Sequence, residues 1–244
     1  MTALRAHFVA ELRLMSRQGE QLLVSIGIPL GVLVFFSLVD TGTFGNGRAV
    51  DYLTPASMAL AVISTSMVSL GIGTSFEREY GVLKRLGSTP LGRGRWLLAK
   101  LLVIAVIEVT QLILLAAVGL ALGWKPNTGF GQALLAALLG TCAFAGLGMF
   151  LAGRLRSTTN LAVTNGTYLA LLITGGTIVP FDKMPSALRT VTSVLPAAPL
   201  AGLMVDGLGP DQEMSVAAML AVLAFWAVVL PVLAIRTFRW EPNA

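Results

Sequence analysis

The sequence predicts an all-α integral membrane protein, and three observations carry that reading. The 244 residues are 55% hydrophobic and only 12% charged, against about 25% charged in a soluble domain. Mean hydropathy is +0.81. Six apolar runs approach the roughly 20 residues that a helix needs to cross a hydrocarbon core about 30 Å thick. They cover about 21–39, 54–75, 97–123, 130–152, 159–180 and 214–235. No internal repeat and no low-complexity linker divides them, so 1–244 reads as a single transmembrane domain.

Charge sets the expected orientation. The pI of 9.9 does not imply nucleic acid, because the basic residues sit beside the spans, where membrane topology accounts for them. Thirteen of the 17 Lys and Arg fall on one side: Arg5, Arg13, Arg17, Arg78, Lys84, Arg85, Arg93, Arg95, Lys100, Arg154, Arg156, Arg236 and Arg239. Arg48, Lys125, Lys183 and Arg189 fall on the other. Six spans with both termini in the cytoplasm follow, in a plasma or inner cell membrane. The start does not read as a signal peptide, since charge extends to Glu20 and no small-residue cleavage site follows the apolar run. Cys142 is the sole cysteine, so an intrachain disulfide is excluded.

Residues 1–20 lead into the first span. Leu4, Phe8, Leu12 and Met15 recur at helical spacing, with Arg5, Glu11, Arg13 and Arg17 mostly off that stripe. This is the pattern of an amphipathic helix lying in the membrane interface. Span 1 carries Gly27 and Gly31 around Pro29, read as a packing face with a kink. The loop after span 2 runs from Phe76 to Leu91 and is far longer than a turn requires. It holds Glu77, Arg78 and Glu79, then Gly81, apolar Val82, Leu83 and Leu86 at helical spacing, and a stop at Ser88-Thr89-Pro90. That layout predicts a short helix over 76–91 that docks on a cytoplasmic partner through charge-assisted contacts. The alternative is a solvated charged turn.

Inside the spans polar residues are few. Glu108 is the only deep carboxylate, at a cost of roughly 2.5–3.5 kcal/mol on insertion scales, so it must face protein or water. It reads as a contact for a cationic substrate or a gate, or as a structural glutamate hydrogen-bonded to a neighbouring helix. Asn160, Thr164, Thr167 and Thr174 share one face of span 5, and span 2 carries Ser57, Ser64, Thr65, Ser66 and Ser69. Ser57, Ser64, Glu108, Asn160, Thr164, Thr167 and Thr174 are candidates for a translocation pathway. Helix packing through small hydroxyl residues is the competing reading. After span 5, Pro180, Pro185, Pro196 and Pro199 break an apolar stretch too irregular for a span. A re-entrant segment over 180–200 on the outer side is expected, covered by protein or water.

Enzymatic chemistry has little to work with. His7 is the only histidine and lies outside the spans, so a membrane-embedded Ser–His pair or a His-ligated metal is not expected. No phosphate-binding loop of the Gly-x-x-x-x-Gly-Lys-Ser/Thr kind occurs.

Taken together, Glu77-Arg78-Glu79, Gly81, Leu86 and Pro90, with Lys100-Leu101 opening span 3, resemble the permease subunits of ABC-2 type exporters. Ala99 stands where that family often has glycine. Gly175 to Pro185, followed by Leu188, Leu195-Pro196 and Leu200, resembles the same family's outer re-entrant pair of short helices. The resemblance implies that Glu77, Arg78, Glu79, Gly81, Leu83, Leu86 and Pro90 couple the chain to a separate ATPase subunit. It also implies two ATPase subunits, which hold ATP and Mg, and a second permease, identical or related. The cargo it implies is a hydrophobic or amphiphilic drug-like or lipid-like molecule, moved out of the cytoplasm or inner leaflet. This chain would be neither an enzyme nor a cofactor protein. The competing classes are a membrane enzyme, an ion-coupled carrier and a non-transporting membrane anchor or sensor.

Overall fold

The computed structural model describes residues 3–17, 19–39, 48–87, 92–178, 183–212 and 214–239. Helices make up all the regular structure among them. They are α1 (Ala3–Arg17), α2 (Gly19–Leu38), α3 (Ala49–Ile63), a π-helical turn (Ser64–Ser69) and α4 (Leu70–Glu79). Then come α5 (Val82–Gly87), α6 (Gly92–Ala121), α7 (Phe130–Arg154), α8 (Ser157–Thr174), α9 (Ser186–Ser193), α10 (Ala197–Leu208) and α11 (Val216–Thr237).

Among the described residues, four stretches are long and apolar enough to cross a membrane: Ala49–Glu79, Gly94–Ala121, Phe130–Arg154 and Val216–Thr237. The other two expected spans correspond to α2 and α8. The stretch Ser25–Leu38 of α2 is apolar but shorter. α8 has 18 residues and carries Asn160, Asn165 and five threonines among them, which dilutes its apolar character.

The α3–α4 rod is the centre of the subunit. Its 31 residues run unbroken, and 94% of its apolar window is buried. The equivalent figures for α6 and α11 are 28% and 22%, so those two helices form outer walls. Because lipid is as apolar as leucine, cohesion here comes from close packing and interhelical hydrogen bonds rather than from the hydrophobic effect. Both are visible. A Cβ added at Gly71 would lie 3.0 Å from the Gly148 Cα, and one at Gly146 would lie 2.4 Å from the Pro231 backbone nitrogen. Glycine is what lets α7 touch the rod on one side and α11 on the other.

Hydrogen bonds knit the middle of the bundle at the π-helical turn. The Ser64 hydroxyl donates to the Ser25 carbonyl at 3.1 Å, and Thr65 donates to the Gln111 side-chain oxygen at 2.6 Å. The Gln111 amide reaches the Ser25 hydroxyl at 3.3 Å. Wider i→i+5 winding leaves helix carbonyls under-satisfied, and Ser66 donates back to the Val62 carbonyl.

α9 and α10 meet at 91°. Pro185 and Pro196 stand at their N-caps, next to the first helical turn, where a missing N–H and a fixed φ do no harm. The second leg runs to Leu208, beyond the 180–200 boundary read from the sequence, and is almost wholly buried. Its final carbonyls are capped by the α6–α7 loop. The Trp124 indole donates to Leu208 at 3.2 Å, and the Gly129 amide donates to Gly207 at 3.0 Å. Irregular backbone is thus covered by protein, as apolar surroundings require. Pro180 and Asp182 lie outside the described residues.

Candidate functional site: the α4–α5 turn and the charge cluster behind it

The segment expected as one helix over 76–91 divides in two. Residues 76–79 are the last turn of the α3–α4 rod, and the short α5 follows a sharp turn at Tyr80-Gly81. The reason is local. Gly81 has φ +71°, a left-handed conformation that costs a side-chain-bearing L residue about 1–2 kcal/mol. The Gly81 N–H donates to the Arg78 carbonyl at 3.1 Å, and the Arg85 N–H donates to the Gly81 carbonyl at 3.2 Å. The chain therefore ends one helix and starts another at a single residue. A Cβ at Gly81 would meet nothing within 4 Å, so the need for glycine is conformational and not spatial. Gly81→Val is expected to swing α5 away while leaving membrane insertion intact. Faster protease cleavage between residues 80 and 87 at unchanged expression checks this.

Position in this turn sorts the candidate residues by direction. Leu83 is 1% exposed and packs among Leu70, Trp96, Ile104 and Met149, so it bolts α5 to its own subunit. Glu79, Tyr80, Val82, Lys84 and Arg85 are exposed. Tyr80 is 70% exposed, and its ring stacks on Phe76. Arg78, expected to reach a partner, instead is buried and donates to the Leu155 carbonyl at the α7–α8 junction. Glu77, expected to do the same, is turned inward to Lys100, 2.6 Å away. The side chain of Leu86, and Pro90 altogether, lie outside the described residues.

Behind the turn sits a cluster that spans three elements. The Lys100 ammonium on α6 pairs with Glu77 on α4 and with Glu11 on α1. Lys100 and Glu11 are buried, and the Trp96 ring lies 5.6 Å from the ammonium, a distance at which the ring face attracts a cation. The cluster fastens α1 to the rod and to α6. Burial lowers the pKa of the neighbouring His7 imidazole from its ordinary value; Glu11 partly opposes this and Lys100 adds to it. The sequence held a signal for the cluster. Lys100 fell inside the apolar run 97–123, and an ammonium there demands a carboxylate.

The expected pathway residues are mostly internal. Ser57, Ser64, Glu108, Asn160 and Thr164 are all buried within the subunit. Asn160 donates at 3.1 Å to the Gly71 carbonyl and to the Ser75 hydroxyl, and Thr164 donates to Asn160 at 3.3 Å. These bonds pin α8 to α4, which is the packing role. Glu108 accepts a 2.6 Å hydrogen bond from Thr141 on α7, again between neighbouring helices. Thr167 and Thr174 remain part-exposed on α8. On α2, Gly27 and Gly31 face outward, and nothing lies within 4 Å of a Cβ at Gly31. Both are exposed on the surface of the subunit.

Among the described residues no group of three or more His, Cys, Asp or Glu could hold a metal. The family model for ABC-2 type transporters matches residues 2–209, from α1 to the end of α10. A protein of Bacillus subtilis (strain 168) described as "Putative transport permease YvfS" is 26% identical over 201 residues, covering 81% of this chain and 82% of the relative. The chain belongs to the ABC-2 type transporter family, whose membrane domain is a non-catalytic permease subunit.

Proposed function

We propose that this chain is the membrane permease of an ATP-driven exporter and that the α4–α5 turn is its dock for a separate ATPase subunit. The observation that carries the reading is the division of labour at the turn. Leu83 fixes α5 to the bundle, while Glu79, Tyr80, Val82, Lys84 and Arg85 present a mixed-charge and aromatic surface outward. A helix seated this firmly on the bundle, with its outer face exposed, can pass force to the spans. Arg78 and the Glu77–Lys100–Glu11 cluster then connect that seat to α8, α6 and α1, so displacement of the turn moves the spans together.

In this reading six spans place both termini and the turn in the cytoplasm of a plasma or inner-membrane protein. Two such permeases pair, identical or related, above two ATPase subunits that hold ATP and Mg. Outward-facing Gly27 and Gly31 on α2 and Gly166 on α8 support pairing, because small residues let helices of two subunits approach closely. The route then runs between α2 and α8 of the two copies, past Thr167 and Thr174. Its cargo is a hydrophobic or amphiphilic molecule moved outward.

The purified chain alone should hydrolyse no ATP and should copurify with a soluble ATPase subunit. Glu79→Ala should leave membrane expression unchanged and weaken ATPase binding by about 2 kcal/mol or more, the usual loss for a charged partner buried at an interface. Full ATPase binding and transport by Glu79→Ala at matched protein levels would reduce the turn to a solvated loop.

A further inference from the structure

A cavity of about 700 Å³ lies between α1, the end of α4, α5 and α6, within the size range of small-molecule sites, roughly 300–1,000 Å³. Leu14, Met15, Leu70, Ile72 and Phe76 give it apolar walls, while His7, Glu11, Glu77 and Lys100 stand at one side. Two of those groups have a buried atom with no hydrogen-bond partner: Oε2 of Glu77 and Nε2 of His7. Two carboxylates face one ammonium; burial raises the Glu77 carboxyl above its ordinary pKa, opposed by the Lys100 ammonium, and burial lowers that of the His7 imidazole. Unpaired buried acceptors are costly, and a ligand that donates to them removes that cost.

We propose that this cavity binds a cationic amphiphile, with a primary or secondary ammonium donating to Glu77 and His7 and an apolar chain lying along α1 and α4. This deepens the transport reading by naming the cargo's chemistry. It is read on the permease alone, so an uncoupled ATPase would leave it untouched. Tyr80 and Val82 of the docking turn also line the cavity, which puts the ligand in contact with the segment that faces the ATPase. An alkylammonium can come from a free amphiphile or from an amine-headed phospholipid, and both offer the same donor.

The test uses the full chain in phosphatidylcholine nanodiscs at neutral pH and a diazirine-bearing dodecylamine. Adducts are mapped by mass spectrometry and compared with those of the same chain ending in an alcohol. The ammonium probe should label α1 and α4 around Leu14, Met15 and Phe76 about tenfold more than the alcohol, the equivalent of one charge-assisted hydrogen bond. Glu77→Gln keeps an acceptor for Lys100 and should remove that preference. Gly73→Leu should abolish labelling by both probes; Gly73 lines the cavity, and a Cβ there meets nothing within 4 Å, so the new side chain has room to enter the site, and unchanged thermal unfolding of the variant checks that the fold is kept. Competition by added phosphatidylethanolamine identifies a lipid amine as occupant, and its absence identifies a free amphiphile. Equal labelling by amine and alcohol, or full labelling of Gly73→Leu, overturns the proposal.

Discussion

Lys100→Met should release α1 from the bundle and destabilise the subunit by about 3–5 kcal/mol, the scale for removing one partner of a buried ion pair. The cause is the two carboxylates left behind. Glu11 is buried with Lys100, and Glu77 pairs with the same ammonium, so the variant leaves two acids facing each other without a cation. Thermal unfolding in detergent should shift down, and protease should reach Arg13 in α1. The partner experiment separates charge from packing. The triple variant Glu11→Gln, Lys100→Met, Glu77→Gln removes the whole cluster and should recover most of the loss, since replacing an entire buried ionic group is often neutral. If Lys100→Met melts like the unaltered protein, the cluster does not hold α1.

The second large effect is steric. Gly146→Val puts a branched side chain where a Cβ alone would lie 2.4 Å from the Pro231 nitrogen and 2.6 Å from its Cδ. Neither neighbour can rotate away, because both belong to the α11 backbone and proline ring. α7 and α11 must separate, and overpacking of this kind costs about 3 kcal/mol or more. The expected result is a strong fall in the folded fraction after solubilisation. Gly131→Leu on the same helix meets nothing within 4 Å and should be near neutral. Equal loss in both variants would mean that helix propensity and insertion, not close approach, govern the effect.

Much of this architecture was legible in the sequence because the bilayer permits so few solutions. Apolar runs gave the positions of the long helices, and prolines at 185 and 196 gave the broken pair α9–α10. Periodicity in Leu4, Phe8, Leu12 and Met15 gave α1. Direction was harder to read. Glu77 and Arg78 are charged and sit beside Glu79, and a linear motif treats all three alike. At about 100° per residue, neighbours on a helix point in very different directions, so Glu79 faces out while Arg78 is buried. The hydroxyl residues were open to two readings for a related reason. A seam of Ser, Thr and Asn looks the same whether it lines a route or fastens two helices, and only the partners of Asn160 and Thr65 tell them apart. The Glu11–Lys100 pair joins residues 89 apart, a separation that no local pattern encodes.

The proposed contact between the α4–α5 turn and an ATPase can be tested in the cell. The most direct measurement replaces Tyr80 by a photo-crosslinking phenylalanine and irradiates intact cells. Tyr80 is 70% exposed and Ile113, the control position in the second half of α6, is 64% exposed. An adduct with the mass of this chain plus a soluble subunit carrying a phosphate-binding loop is expected from position 80, and none from position 113. An adduct with that subunit from position 125, in the loop at the other end of α6, with none from position 80, would contradict both the docking surface and the orientation.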